Sequence, residues 1–331
     1  MATVHEVSSE GDVKLICGSE EAGDAMHIIV SSVIMRHGSP VFKAMLGSDF
    51  KEGCTLSTGA RLDLPLPDDH ARSMLTICQI MHLHPKVHAP CNCQEMLKLA
   101  MLIDKYDCRG PLSYPVSVWM RDRMICRIDS DRVHLFASAY TLGLSVDFTR
   151  LGEELVQLSD PRFPPERISG IDQDLQTAID TLGRHADTLR SDARMFLDNI
   201  IKSECAGERK NDLYDWRVRE CGPNGCNYVS KRFNSFMKVM IESELWPITA
   251  FMEKSVLHII GALRRFPSGW SNIPGKPCGT SCKRDYMKTD EQIVSEMKDM
   301  ADDMEFATVK PCLVCVKSGG MQERGHCEET H

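Results

Sequence analysis

Near the end of the chain, Cys312-x2-Cys315 is followed, after eleven residues, by Cys327-x3-His331. Two short-spaced pairs of soft ligands, with Gly319-Gly320 letting the chain double back between them, suit four side chains closing round one tetrahedral zinc ion. Such a site is structural, because four protein ligands leave no open position for a substrate. His331 is the last residue and prone to fraying, so His326 stands as a substitute fourth ligand.

Three further groups carry ligand or nucleophile chemistry. Cys221-x4-Cys226 with Cys278-x3-Cys282 is a looser second zinc set, with ordinary free thiols as the alternative. "HLHPKVHAPCNC" gathers His82, His84, His88, Cys91 and Cys93 as ligand types, but it falls between two helices, where a plain polar loop is the leading reading. Arg36-His37-Gly38 has the residue types of a phosphohistidine site, where imidazole attacks phosphorus and arginine holds the phosphate. That chemistry belongs at the end of a first strand in an alternating βα chain, and the text that follows does not alternate in that way.

A fourth group has partner chemistry. Phe50-Lys51-Glu52 places an aromatic ring two residues from a carboxylate, just past a short apolar stripe. An exposed ring supplies area to bury and the acid supplies orientation, whereas a ring folded back on its own domain would be core.

The totals narrow the classes. A net charge of −8 is split evenly, −4 in residues 1–120 and −4 beyond, with no basic stripe for nucleic acid or an anionic membrane. No run of apolar residues is long enough to span a bilayer, and "MATVHEVSSEGD" has no export character. The expectation is an intracellular protein, cytoplasmic or nuclear. Its 15 cysteines are then reduced thiols, explained by metal or by burial. Nucleophile-elbow, zincin, P-loop and dinucleotide-binding signatures are missing, and nothing argues for an enzyme.

These groups need elements to position them. Residues 12–17 and 26–30 read as a β-hairpin, Ser39-Pro40 opens a helix closed by Gly47, and 61–64 is a short strand. Asp68 and Asp69 are N-cap candidates for a helix over 71–81; another covers 94–106, closed by Gly110-Pro111. Helical patterns continue over 116–126 and 131–142, and a linker falls at Pro161–Pro165. Ile168, Ile171, Leu175, Ala178, Leu182, Ala186, Leu189, Ala193, Phe196 and Ile200 form the stripe of one long helix, packed within the chain or seaming a dimer. From Cys205 on, eight cysteines are scattered among helices expected near 232–245, 249–264 and 291–306.

Residues 11–120 resemble a BTB/POZ domain of the fungal kind, through "GDVKLICG", "SPVFKAMLG", "FKEG", "LDLPLPDDHARSM" and "LAMLIDKYDCRGPL" in that order. "PCLVCV" resembles a tail common in fungal members. The resemblance implies an α+β domain of a small sheet plus helices, followed by a helical region over 121–204 and a cysteine-rich helical region over 205–331. It also implies a protein-interaction module. In members that recruit a cullin scaffold, a φ-x-E motif follows the "SPVF" helix, and Phe50, Lys51 and Glu52 stand at that spacing. The function expected is therefore a substrate adaptor of a cullin-type ubiquitin ligase. The alternative is a self-assembling or regulatory protein, a homodimer with no cullin role; histidine phosphatase is the remote third. One departure is that Ser31 occupies the place where many members have histidine, while His27 falls in the preceding strand.

Overall fold

A computed structural model describes residues 2–19, 23–125, 129–159, 167–206, 228–271 and 288–319. They form two compact units. The first draws on Met1–Leu151, Ile168–Leu175 and Pro311–Gly320, and the second on Gly152–Arg167 and Gln176–Lys310.

The first unit is α+β, built on the expected hairpin. Strands β2 (Val13–Cys17) and β3 (Met26–Val30) pair antiparallel, with Val13 opposite Val30 and Cys17 opposite Met26. Period-two alternation buries Val13, Leu15 and Cys17 on one face and Ile28 and Val30 beside them. Gly18 makes the connection feasible: its φ is +73°, and a Cβ there would lie 2.9 Å from Asp24 oxygens.

Strand β1 (Thr3–Glu6) and β4 (Leu62–Leu66) complete the sheet in the order β1-β3-β2-β4, each parallel to its neighbour. β4 lies at an edge, which is where Pro65, lacking an N–H, is tolerated. β1 lay outside the sequence reading because its four residues are mostly exposed and show no alternation. The edge of β3 templates it.

Helices cover the sheet. α1 (Ser32–Gly38) follows β3 directly, through β-branched residues that resemble a continuing strand. What turns the chain into a helix is Asp12, whose carboxylate accepts from the Ser32 N–H at 2.7 Å and from its hydroxyl at 2.6 Å. Ser31, the N-cap residue, makes no side-chain cap. α2 (Pro40–Met45) has Ser39 as N-cap and Pro40 as its first residue, as the sequence indicates.

α3 (Lys51–Ser57), α4 (Ala71–Met81), α5 (Cys93–Lys105), α6 (Arg109–Arg123) and α7 (Asp129–Leu142) follow. Two expectations are corrected. α4 is capped by His70, which accepts from the Ser73 N–H, because Asp69 is committed elsewhere. Gly110 and Pro111 lie in the first turn of α6 rather than in a break before residue 116, and a first turn has no intrahelical N–H partner for proline to lose. A short α13 (Leu313–Lys317) also belongs to this unit.

α8 (Ser145–Leu158) starts in the first unit and runs on into the second. The second unit holds most of α9 (Gln173–Ala206), then α10 (Tyr228–Glu242), a 3-10 turn at Ile248–Glu253, α11 (Val256–Arg264) and α12 (Asp290–Phe306). The stripe of α9 is buried from Leu175 to Ile200 within the single chain, so this face is core and not a dimer seam. Leu197 takes the buried place assigned to Phe196, which is half-buried, and Ile168 and Ile171 precede the helix. The expected linker around Pro161–Pro165 lies outside the described residues.

Candidate functional site

Three of the motifs behind the resemblance meet in one buried cluster. Ser39, at 0% exposure, accepts from the Phe42 N–H at 3.0 Å and donates its hydroxyl to the Tyr106 carbonyl. The Tyr106 ring stacks on Phe42 with centroids 4.5 Å apart, and its hydroxyl donates to Asp69. Lys105 donates to the same carboxylate at 2.6 Å. Burial and the neighbouring Asp69 push the Tyr106 phenol well above its ordinary value, so it remains a donor at every physiological pH. "SPVF", "PLPDD" and "DKYD" are thus three parts of one internal lock, with a structural role.

Phe50-Lys51-Glu52 lies at the start of α3, outside that lock. The Phe50 N–H donates to the Gly47 carbonyl at 3.2 Å, and Phe50 then serves as N-cap of α3, its carbonyl accepting from Cys54. α3 turns Gly53 inward so tightly that a Cβ there would fall 1.8 Å from the Gly47 oxygen. With glycine as its buried residue, the helix sits down on the end of α2. Phe50 is left 52% exposed beside exposed Lys51 and half-buried Glu52. A ring that has not folded into the core retains about half of its area for a partner.

The cysteines divide by burial. Cys17, Cys78, Cys93 and Cys108 are buried, which is the core explanation of those thiols. Burial raises the Cys17 and Cys108 thiols to about 12 and Cys78 well above its ordinary value, so none of these three is a ready nucleophile. Cys54 and Cys91 are exposed, Cys91 accepting from Arg72 at 2.9 Å.

The "HLHPKVHAPCNC" segment is engaged in its own turn. The His82 Nε2 accepts from the Ser31 N–H at 3.0 Å while its Nδ1–H donates to the Cys78 carbonyl at 2.8 Å, which fixes one tautomer. His84 accepts from the Lys86 N–H, and His88 exchanges hydrogen bonds with Gln79. Among the described residues no group of three His, Cys, Asp or Glu side chains converges as a metal site.

Of the terminal zinc set, Cys312 is the N-cap of α13 and Cys315 lies in its first turn, both half-buried. Cys327, His331 and the substitute His326 lie outside the described residues, as do Cys221, Cys226, Cys278 and Cys282. His37 and Arg36 occupy the last turn of α1, a helix end rather than the strand end that the phosphohistidine chemistry uses.

Two buried arginines escaped the sequence reading. Arg190, fully buried in α9, donates to the carbonyls of Ser159 (2.7 Å) and Lys254 (2.9 Å) and pairs with Asp187. Arg232 pairs with Glu204 and Asp290, donates to the Lys288 carbonyl, and lies 4.5 Å from the Trp270 ring. Each looks in sequence like one more charge on the polar face of an amphipathic helix. Comparison of the chain with protein-family models, curated proteins and solved structures finds no match.

Proposed function

We propose that this chain is a protein-interaction adaptor, with a BTB/POZ-like first unit that presents Phe50, Lys51 and Glu52 to a cullin-type scaffold. The observation that carries the proposal is the half-exposed Phe50 ring at the start of α3, held out by the close seat of Gly53. It is supported by three motifs of the resemblance, which share one internal lock while the φ-x-E residues take no part in it. On this reading the second unit is the part that faces a substrate to be ubiquitinated.

The structural zinc belongs to the same proposal. Cys312 and Cys315, three residues apart across the start of α13, would supply half the ligand set, with Cys327 and His331 as the other half. Metal analysis of purified protein should find about one zinc per chain, lost in Cys312→Ser with Cys315→Ser. A chain with no bound zinc would remove it.

The adaptor reading is tested by titrating a purified cullin N-terminal region against wild type and against Phe50→Ala with Glu52→Ala. The pair should weaken binding by roughly thirtyfold or more, the loss of a central aromatic anchor. An assembly protein with no cullin role would instead give no complex with either form, and a dimeric mass indifferent to the pair.

A further inference from the structure

α1 and α2 border an open groove of about 490 Å³ lined by Val33, Arg36, His37, Pro40 and Lys43. Its charged chemistry is of one sign. Arg36, His37 and Lys43 are exposed, no acidic side chain lines the groove, and none of the three makes an ion pair with a described residue. Five other bases of this unit do have such partners: Lys14 with Asp63, Arg72 with Glu95, Lys105 with Asp69, Arg109 with Asp104 and Arg132 with Asp129.

The groove also has an apolar part. Val33 is 58% exposed although its neighbours Ser32 and Met35 are buried, and Pro40 is exposed beside it. Each base sits in the last turn of a short helix, where it complements the local carbonyls. That accounts for each base singly; it does not account for an apolar strip between them or for the missing acids.

We propose that this groove is a second docking surface, which binds an acidic peptide segment of a partner protein with an apolar side chain against Val33 and Pro40. Charge complementarity selects the occupant. Two cations, Arg36 and Lys43, with His37 beside them and no acid lining the groove, form a local basic patch in a chain of net charge −8, which steers a short acidic segment to this place. A nucleic acid is disfavoured because its backbone extends beyond three bases onto a surface that repels it. The surface is distinct from Phe50-Lys51-Glu52 and does not depend on a cullin.

The test is fluorescence anisotropy on the full chain, with a short labelled peptide of Asp and Glu around one central Leu. Binding should be saturable and weakened by added salt, and it should fall at least tenfold in Arg36→Glu with Lys43→Glu. Replacing the peptide's acids by Asn and Gln should abolish it, and Val33→Ser should weaken it with the charges intact. Phe50→Ala with Glu52→Ala should leave it unchanged, which separates this surface from the cullin proposal. The charge reversals are exposed, so circular dichroism should show the same fold. Absence of saturable binding, equal binding by the reversed variant, or preference for single-stranded DNA of equal charge would overturn the proposal. So would a doubled mass by light scattering that reverts to a single chain on charge reversal, since the occupant would then be a second copy.

Discussion

At the scale of single residues, the lock around Tyr106 makes the strongest claim about stability. In Tyr106→Phe the ring still stacks on Phe42, but the Asp69 carboxylate loses a buried donor, and the expected cost is about 1–3 kcal/mol in chemical denaturation. His82 provides a pH dependence. Burial lowers its folded-state value below the ordinary 6.5, so the unfolded chain takes up a proton first as pH falls. Its contribution to stability is complete above that value and is lost progressively below it. A fall in melting temperature between about pH 7 and pH 5 should therefore be smaller in His82→Gln, whose amide can still meet Ser31. For the thiols, brief alkylation followed by peptide mapping should label Cys54 and Cys91 well before Cys17, Cys78 and Cys108.

At the scale of elements, α3 is the one to alter. Gly53→Ala puts a methyl group where the Gly47 carbonyl stands, so either α3 lifts from the end of α2 or the turn between them opens. A loss of about 1–3 kcal/mol is expected, together with faster proteolysis between residues 47 and 57, and Phe50 should lose its fixed position. What was legible here followed from periodicity. The β2-β3 hairpin, the Ser39-Pro40 helix start, α4, α5 and the stripe of α9 each repeat an apolar residue at the spacing of a strand or helix. What was hidden depended on distant residues. β1 needs the edge of β3, α1 needs Asp12 from before the hairpin, and the α4 cap moved to His70 because Asp69 was taken by Tyr106. No local pattern records a partner 37 positions away.

At the scale of the whole molecule, two units divide the work that the proposal assigns. The candidate partner residues were legible because three adjacent residues carry their own chemistry. The interior charges were not, since Arg190 and Arg232 find their partners only on folding. Arg190→Met should therefore destabilise the second unit by about 2–4 kcal/mol, by stranding two carbonyls, while the first unit keeps the cullin binding proposed for it. The central claim is that the face around Phe50 serves an external partner and not the fold. Its most direct measurement is calorimetric titration of a cullin N-terminal region into wild type and into Phe50→Ala with Glu52→Ala, alongside the melting temperature of each. The account predicts a saturable complex with wild type, its loss in the pair, and melting temperatures that agree closely. A pair that melts far below wild type would contradict it by making Phe50 core, and a pair that binds as wild type does would contradict it by making Phe50 irrelevant.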